Sequence, residues 1–340
     1  MILVTGGTGL VGSHLLYKLV DSDESIVAIY RREKTLSRVK KVFSYYSHEA
    51  ERLFKKINWT EADITDIPAL QKAFVGITKV YHCAAFVSFE PDKYNQLRKI
   101  NIEGTANIVN LCISNKVEKL CYVSSIAALG KSLSAEAFIT EETEWNPEYD
   151  NSVYAITKYG AEQEVWRGTQ EGVDAVIVNP GIILGPGFWR GGGSGSLIKN
   201  IHKGLKYYPI GSSGYVDVWD TVDIMYQLME SSICNQRFIV ISENCKFMDF
   251  QNEVADCLSV KKANKPISPF LLSIVWRLDW LNNKLFGKRR ALSKQMAKSI
   301  STISKFDNSK VKKALDYQFE DLSISIKKVT EYFIEDLTKD

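Results

Sequence analysis

Two side chains with complementary acid–base chemistry lie four residues apart, at Tyr154 and Lys158. Residues at i and i+4 share one face of a helix, so the lysine ammonium is expected near the tyrosine phenol. A nearby positive charge favours tyrosinate, and this moves a group that ordinarily titrates at about 10 toward neutral pH. We therefore predict that Tyr154 acts as a general acid or base and that Lys158 lowers its pKa.

A pair of hydroxyls, Ser124 and Ser125, follows the apolar segment Leu120–Val123, which has the character of a strand. Side chains alternate between the two faces of a strand, so only one of these serines can face a reacting substrate. A hydroxyl at the end of a strand can hydrogen-bond a carbonyl or alcohol oxygen. Spacing alone leaves open which serine does so.

The glycine-rich sequence TGGTGLVG at residues 5–12 follows the apolar segment Ile2–Val4 and precedes a helical pattern. Glycines in this context permit a tight turn and a close approach of the backbone to a pyrophosphate. The free N–H groups and positive dipole end of the helix favour the same anion. The motif predicts a dinucleotide site that uses Gly6, Thr8, Gly9, Leu10, Val11 and Gly12.

The second predicted strand ends in Tyr30-Arg31-Arg32, where an NAD enzyme usually carries Asp or Glu for the ribose hydroxyls. Arginine offers planar, charged donors to phosphate oxygens, and a carboxylate that would repel a 2′-phosphate is missing. We predict NADP(H) as the cofactor, bound by Arg31 and Arg32 with Arg31 preferred, and NAD(H) as the alternative.

Strand-like and helical segments alternate through the first 180 residues, which is typical of an α/β fold with a Rossmann-type doubly wound parallel sheet. We predict a dinucleotide-binding domain at residues 1–180 and a smaller, mostly helical substrate lobe at 181–340, some of whose segments return to the sheet. The predicted strands are Ile2–Val4, Ile26–Tyr30, Val80–Cys83, Leu120–Ser124 and Ala175–Val178, and the helices are Leu10–Val20, Pro68–Phe74, Tyr94–Ser114, Val153–Glu171 and Ser323–Leu337.

The composition is that of a globular protein with 340 residues, 45% hydrophobic and 24% charged, and a net charge of +3. No basic stripe indicates nucleic acid as a partner, although Lys288-Arg289-Arg290 is a local basic cluster. Six cysteines without a CxxC pair and four histidines without ligand spacing predict reduced thiols and no metal. The start of the chain does not resemble a signal peptide, so we expect a cytoplasmic location.

The apolar segment Ser268–Leu285 is too short and too interrupted to cross a bilayer. An interfacial membrane helix is an alternative, but we favour a lobe helix that covers the substrate pocket. The loop Gly191–Gly195 is flexible enough to act as a lid.

Taken in order, these motifs resemble the extended short-chain dehydrogenase/reductase superfamily, also described as the NAD-dependent epimerase/dehydratase superfamily. The residues that carry the resemblance are TGGTGLVG at 5–12, ADITD at 62–66, HCAA at 82–85, NIEGT at 101–105, VSSIAALG at 123–130, YAITK at 154–158 and NPGIILGPG at 179–187. Within it, the chain is most similar to dihydroflavonol 4-reductase-like and 3β-hydroxysteroid dehydrogenase-like members.

The resemblance implies roles for further residues. In the family's motif the catalytic hydroxyl lies five residues before the glycine that is Gly130 here, which selects Ser125. Asn101 is implied as a support for Lys158 through a water or a backbone kink, with plain helix structure as the alternative. The cofactor contacts implied are Asp63 and Ile64 at the adenine, Ala84 and Ala85 along the dinucleotide, Tyr154 and Lys158, and Pro180, Gly181, Ile182 and Ile183 beside the nicotinamide. Relatives also imply a homodimer.

Aromatic residues suggest an apolar substrate pocket, with simple core packing as the alternative. Its predicted members are Phe86, Ser88, Phe89, Ser125, Phe188, Trp189 and Trp219. The function predicted is hydride transfer between NADP(H) and a carbonyl or secondary alcohol of a small, partly apolar molecule. Two alternatives are an NAD-dependent nucleotide-sugar epimerase/dehydratase and a non-catalytic dinucleotide-sensing scaffold. Asn179, where many sugar-nucleotide members carry arginine, argues against the first, and the retained Tyr154 and Lys158 argue against the second.

Overall fold

Strands and helices alternate along the first half of the chain in the computed structural model, which describes residues 1–132, 134, 136–190, 193–286 and 292–339. The strands β1 to β14 are, in order, Ile2–Thr5, Ile26–Tyr30, Ile57–Glu61, Lys79–His82, Lys119–Val123, Phe138–Ile139, Ala175–Pro180, Ile182–Leu184, Tyr207–Tyr208, Ser212–Asp217, Gln236–Val240, Glu243–Lys246, Lys265–Pro266 and Lys305–Phe306. The helices α1 to α14 are Leu10–Leu19, Leu36–Tyr46, Ala50–Phe54, Ile67–Ala73, Tyr94–Leu97, Gly104–Ser114, Val153–Gln170, Gly193–His202, Val218–Glu230, Phe247–Cys257, Pro269–Phe286, Lys294–Ser299, Ser309–Leu315 and Leu322–Lys339.

A parallel sheet in the order β11-β7-β5-β4-β1-β2-β3 forms the centre of the described structure. All four residues of β1 are buried, as expected for a central parallel strand covered on both faces. The predicted Rossmann-type fold and its five predicted strands are confirmed. The chain turns from one half of the sheet to the other between β1 and β4, and ligands bind at the carboxyl ends of strands at such a switch point.

Helices cover both faces of this sheet. Helices α1, α2 and α9 bury Leu15, Phe43 and Met225 in one apolar cluster, and α6 and α7 bury Ile108 and Val165 in the other. The carboxyl edge of the sheet therefore lies between two packed layers, which hold its loops in place.

The chain beyond residue 180 forms strands as well as helices. Strand β10 pairs with β8 and β12, and a further apolar cluster that includes Tyr215, Phe250 and Phe333 packs around them. Helix α9 and strand β11 lie instead with the central sheet. The domain division at residue 180 stays a prediction. That prediction includes segments of the lobe that return to the sheet, as α9 and β11 do.

Some predicted features lie partly outside the described residues. Gly191 and Gly192 of the proposed lid fall there, whereas Gly193–Gly195 begin α8. The basic cluster Lys288–Arg290 also lies outside the described residues.

No helix in the described part of the chain has both the length and the apolar character needed to cross a membrane.

Candidate active site

The glycine-rich turn brings β1 against the loop that follows β4. Gly6 has φ of +67°, and a Cβ there would lie 2.6 Å from the Ala84 backbone nitrogen. A Cβ on Gly12 would lie 2.3 Å from the Gly6 carbonyl oxygen, so the helix approaches the turn more closely than any side chain allows. Among the described residues, no side chain caps the start of α1. Its first N–H groups are thus directed at the turn, as an anion site requires.

A cleft of about 240 Å³ opens beside this turn. It brings together eight of the predicted cofactor residues, namely Gly6, Thr8, Gly9, Arg31, Arg32, Ile64, Ala84 and Ala85. Leu10, Val11 and Gly12 form the adjoining first turn of α1. Glycines that leave room for a backbone-bound ligand, together with basic side chains at one end, fit a phosphorylated dinucleotide.

Basic residues gather where β2 ends. Arg31, Arg32 and Arg38 all line the cleft, and the sequence analysis missed Arg38, which lies in the first turn of α2. Arg31 is half-exposed, with its Nη1 3.6 Å from Oδ2 of Asp63. Burial raises the pKa of Asp63, but hydrogen bonds from Thr65 and the charge of Arg31 outweigh it and lower the pKa. Asp63 thus shares its charge between an Asx turn and the arginine.

Ser125 and Ser124 point to opposite sides, as strand alternation requires. The Ser124 hydroxyl donates to buried Glu162 at 2.7 Å, so it serves the interior. Ser125 accepts a hydrogen bond from the Ala127 N–H at 3.1 Å, and its hydroxyl lowers the pKa of the nearby Tyr154 phenol, which burial raises. Ser125, and not Ser124, therefore lies on the side of the predicted acid/base.

Lys158 is buried one helical turn after Tyr154, but it contacts other groups. Its ammonium donates to the Tyr122 hydroxyl at 2.7 Å and the Val123 carbonyl at 2.8 Å. Burial lowers the pKa of Lys158 to about 7, while the Glu162 carboxylate raises it. Burial raises the pKa of Tyr154, and the influence that lowers it comes from Ser125. The expectation that Lys158 lowers the Tyr154 pKa stays a prediction.

A buried polar network supports the site from below. Glu162 is fully buried and accepts hydrogen bonds from Ser124 and from Asn179 Nδ2, the latter at 2.9 Å. Arg237 of β11 pairs with its other oxygen at 3.0 Å. Asn179 also donates to the Ser125 carbonyl at 3.0 Å. Sequence reasoning missed Glu162, although its i+4 spacing from Lys158 was an available signal.

Asn101 lies in a π-helical turn, Arg98–Glu103, between α5 and α6. Its side chain accepts from the Phe86 N–H at 2.7 Å and donates to the Phe86 carbonyl at 3.0 Å. It also donates to Thr157 of α7 at 3.2 Å. Asn101 thus fastens the loop after β4 to the helix that carries Tyr154, and its support of Lys158 stays a prediction.

The predicted aromatic pocket divides into two groups. The Phe89 ring lies 5.3 Å from the ring of Tyr154, and Phe86 and Ser88 belong to the same loop. Trp219 instead packs against Tyr46 at 4.9 Å. Trp189 lies 5.1 Å from Phe333 and donates to Asp336. The two tryptophans thus pack against aromatic residues of α2 and α14, and their place in a substrate pocket with Phe89 stays a prediction. Phe188 precedes Trp189 and is half-buried.

The residues predicted beside the nicotinamide follow the end of β7. Pro180 is the last residue of β7, and Ile182 and Ile183 pair with Tyr215 and Val216 of β10. A Cβ on Gly181 would lie 2.3 Å from the Gly214 carbonyl. They adjoin Asn179 and hence the catalytic edge.

The described histidine, cysteine and carboxylate side chains do not gather into a metal site. His82 is buried between the hydroxyls of Thr5 and Thr105, and burial lowers its pKa to about 3. Within the described ranges, no group of three or more His, Cys, Asp or Glu side chains could hold a metal ion.

The fold and the site define a class of protein: an NAD(P)-binding Rossmann enzyme with a Ser, Tyr and Lys set at the carboxyl edge of its sheet. The chain belongs to the NAD dependent epimerase/dehydratase family, whose model matches residues 2–241. It is thus an oxidoreductase of the extended short-chain dehydrogenase/reductase superfamily, as the motifs predict.

The similar proteins include reductases and, among the solved structures, nucleotide-sugar epimerases and dehydratases. The chain is 25% identical to sterol demethylase protein B of Methylococcus capsulatus over 84% of each chain. It is 28% identical to tetraketide alpha-pyrone reductase 2 of Arabidopsis thaliana, over 78% of this chain and 83% of that one. The solved structure of gox2253 has a TM-score of 0.81 and 23% identity, covering 99% of this chain and 98% of that chain, which shows the same fold.

Proposed function

We propose that this protein transfers a hydride between NADP(H) and a carbonyl or secondary alcohol of a small, partly apolar substrate. The observation that carries the proposal is the placement of Ser125 beside Tyr154, whose pKa burial raises and Ser125 lowers, one helical turn before buried Lys158. Cys83 lines the cleft and lies close enough to Lys158 for the ammonium charge to lower the pKa of its thiol, which burial raises. The Ser, Tyr and Lys side chains are therefore near the cofactor cleft. The bound nicotinamide would supply or accept the hydride.

The side chains of the chain itself would handle the proton and the oxygen. Burial raises the pKa of Tyr154, so the phenol is protonated at neutral pH and suited to donate its proton to a reduced carbonyl oxygen. Ser125 would hydrogen-bond that oxygen and orient it toward Tyr154. Lys158 would bind the ribose and add positive charge beside the developing alkoxide.

The preference for NADP(H) is supported by the three arginines of the cleft. A 2′-phosphate brings extra negative charge, for which Arg31, Arg32 and Arg38 provide donors. Asp63 stands near Arg31 but spends one oxygen on Thr65. The remaining cofactor would be held by the turn at residues 6–12 and by Ala84 and Ala85.

An apolar substrate is supported by the Phe89 ring against Tyr154 and by Phe86 in the same loop. The names of two relatives, a sterol demethylase protein and a tetraketide alpha-pyrone reductase, fit apolar or polyketide-like carbonyl compounds. We therefore propose this class for the substrate.

The first test is calorimetric titration of the purified protein with NADP+ and, separately, with NAD+. We expect NADP+ to bind more tightly and the preference to fall about tenfold or more in Arg31→Ala, since a charged hydrogen bond contributes about 1.5–3 kcal/mol. Arg52→Ala is the matched control, because Arg52 is similarly exposed but lies on α3 with Glu49 as its partner. Equal or tighter binding of NAD+ would reject NADP(H) and favour the nucleotide-sugar epimerase/dehydratase reading.

A second measurement follows NADPH consumption with a panel of apolar ketones and aldehydes. Replacement Tyr154→Phe removes the proton donor and should lower kcat about 10²–10⁴-fold. Retention of full turnover in that variant would refute the role of Tyr154.

A further inference from the structure

Helix α11 turns its apolar side away from the protein. Leu272 is buried, and Asp279 and Asn283 are half-buried on the same side. At about 100° per residue, the opposite side of the helix carries a set of large apolar residues within roughly a quarter of its circumference. This set, here called the apolar stripe, is Phe270, Ile274, Leu278, Leu281 and Leu285.

The stripe is exposed along its whole length. Phe270 is 75%, Leu285 64% and Leu278 57% accessible, and Trp280 beside them is 45% accessible. A surface helix of a globular protein ordinarily has its polar residues outside and its apolar residues inside. Here Asp279 and Asn283 face inward beside Leu272, whereas the five residues of the apolar stripe face outward. A contiguous apolar surface of this kind marks a place where something binds.

The surrounding segment is strongly basic. Residues 258–294 contain nine basic residues and one acidic residue, a net charge of +8, whereas the whole chain carries +3. The remainder of the protein therefore has a net charge of −5. The positive charge of the sequence is concentrated in the segment that contains this apolar helix, which points to an anionic partner.

Basic side chains border the stripe directly. Arg277 lies over the ring of Trp276, 4.6 Å from its centroid, and Lys284 lies 5.2 Å from the centroid of Trp280. Lys262, before the helix, shares its charge with Asp256 at 2.6 Å. Long basic side chains can place their stems along apolar surface and their charges at its rim.

The charge also decides between occupants. A second copy of the chain, related by a twofold axis, would bring one basic segment against another, and like charges at an interface are unfavourable. A bilayer with anionic lipids meets both requirements, since its acyl region accepts the stripe and its headgroups accept the basic rim. Tryptophans such as Trp280 also favour the level of the headgroups.

We propose that α11 lies flat on the surface of an anionic lipid bilayer, with its apolar stripe inserted below the headgroups. This differs from our expectation that the segment covers the substrate pocket, because a covering helix would bury its leucines. The proposal does not rest on the reaction proposed above.

The test is flotation of the full chain with vesicles of phosphatidylcholine alone or with added phosphatidylglycerol. The wild-type protein should float with the anionic vesicles, and binding should fall as salt is raised. The double variant Leu278→Ser/Leu285→Ser should lower the partition coefficient roughly tenfold or more, because it removes two inserted side chains. Lys284→Glu should lower it as well. Val75→Ser is the control, since Val75 is 73% exposed elsewhere on the surface.

Three outcomes would overturn the proposal: no flotation of the wild-type protein, equal binding by the stripe variants, or equal binding to neutral vesicles. Light scattering on the same variants identifies a self-association surface, which would show as a loss of mass in the double variant without vesicle binding. Circular dichroism checks that each variant is folded. If the double variant has a lower melting temperature than the wild-type protein, the vesicle binding of Lys284→Glu alone tests the proposal.

Discussion

Lys158 is an ammonium group held in the interior between two oxygen acceptors. Its contacts are neutral, the Tyr122 hydroxyl and the Val123 carbonyl, so they compensate only part of the hydration that burial removes. Burial consequently lowers the pKa of Lys158 to about 7, and the carboxylate of Glu162 opposes that effect. The protonation of the predicted catalytic lysine thus depends on a residue one helical turn away.

Replacement Glu162→Gln should therefore lower the pKa of Lys158 further. If activity requires the ammonium form, the decline of kcat/KM at high pH should move to lower pH, by about one unit. The variant should also lose about 1–3 kcal/mol of stability, since the partly buried Arg237 loses its charged acceptor and keeps only the Glu141 carbonyl. A pH profile of kcat/KM, measured below the melting range of the variant, checks the shift.

Glu164→Gln provides the comparison for this experiment. Glu164 lies on the same helix but is partly exposed and pairs with Arg167. Its replacement should leave the profile in place. Superimposable profiles for wild type and Glu162→Gln would mean that Glu162 has a purely structural role.

At the residue scale, the sequence predicts those side chains that belong to motifs of the family. Ser125 was chosen by motif position, and the opposite orientation of Ser124 agrees with that choice. Glu162 was missed because its i+4 spacing places it on the same helix face as Lys158 but does not indicate that this face is buried. Trp219 is predicted near the substrate because the sequence does not distinguish an aromatic residue that lines a pocket from one that packs against α2.

The helix predicted over Tyr94–Ser114 is broken at the element scale by one π-helical turn. The turn directs Asn101 at the loop after β4, where its amide binds both backbone groups of Phe86. Such turns are rare and often lie at functional sites. The spacing of the apolar residues does not reveal the π-helical turn, because α-helix precedes and follows it.

Replacement Asn101→Ala should release the loop that carries Phe86 and Phe89. The variant leaves a backbone N–H and a carbonyl without partners, which costs about 1–3 kcal/mol for each group that remains buried. We expect faster amide hydrogen exchange in the peptide around Phe86 and a higher KM for the carbonyl substrate. Hydrogen-exchange mass spectrometry measures the first effect without requiring a known substrate.

Asn115→Ala is the matched control, because Asn115 caps the end of α6 through the Leu111 carbonyl, far along the helix from Phe86. Unchanged exchange around Phe86 in Asn101→Ala would show that other contacts hold the loop.

The two strands of the central sheet that the sequence did not predict, β3 and β11, share a physical cause. Strand β3 lies at the edge of the sheet and contains Asn58, which is exposed, so its pattern is weakly apolar. Strand β11 begins with exposed Gln236 at the opposite edge. Central strands such as β1 are buried on both faces and stand out as apolar runs, whereas edge strands do not.

At the scale of the whole molecule, burial of neutral histidines links folding to pH. His14 donates to the Leu10 carbonyl and accepts from the Tyr46 hydroxyl, and burial lowers its pKa to about 4. The pKa of His82 is lowered to about 3. Unfolded histidine titrates at about 6.5, so below that pH the unfolded chain binds more protons than the folded one. Asp220 acts in the opposite sense, since burial raises its folded pKa to about 7.

The two histidines should therefore lower the free energy of unfolding as pH falls from about 6.5 to about 4, whereas Asp220 and the other buried carboxyls with raised pKa values, Asp217 and Glu141, act against this decline. Replacement His14→Gln removes one of them and should make that decline shallower by up to about 1.4 kcal/mol per pH unit. Urea titrations at several pH values in this window measure the slope, and only the slope is diagnostic, since lost hydrogen bonds lower stability at every pH. His48→Gln is the control, because His48 is exposed and should leave the slope unchanged. Parallel pH dependences for wild type and His14→Gln would mean that His14 takes up its proton without unfolding.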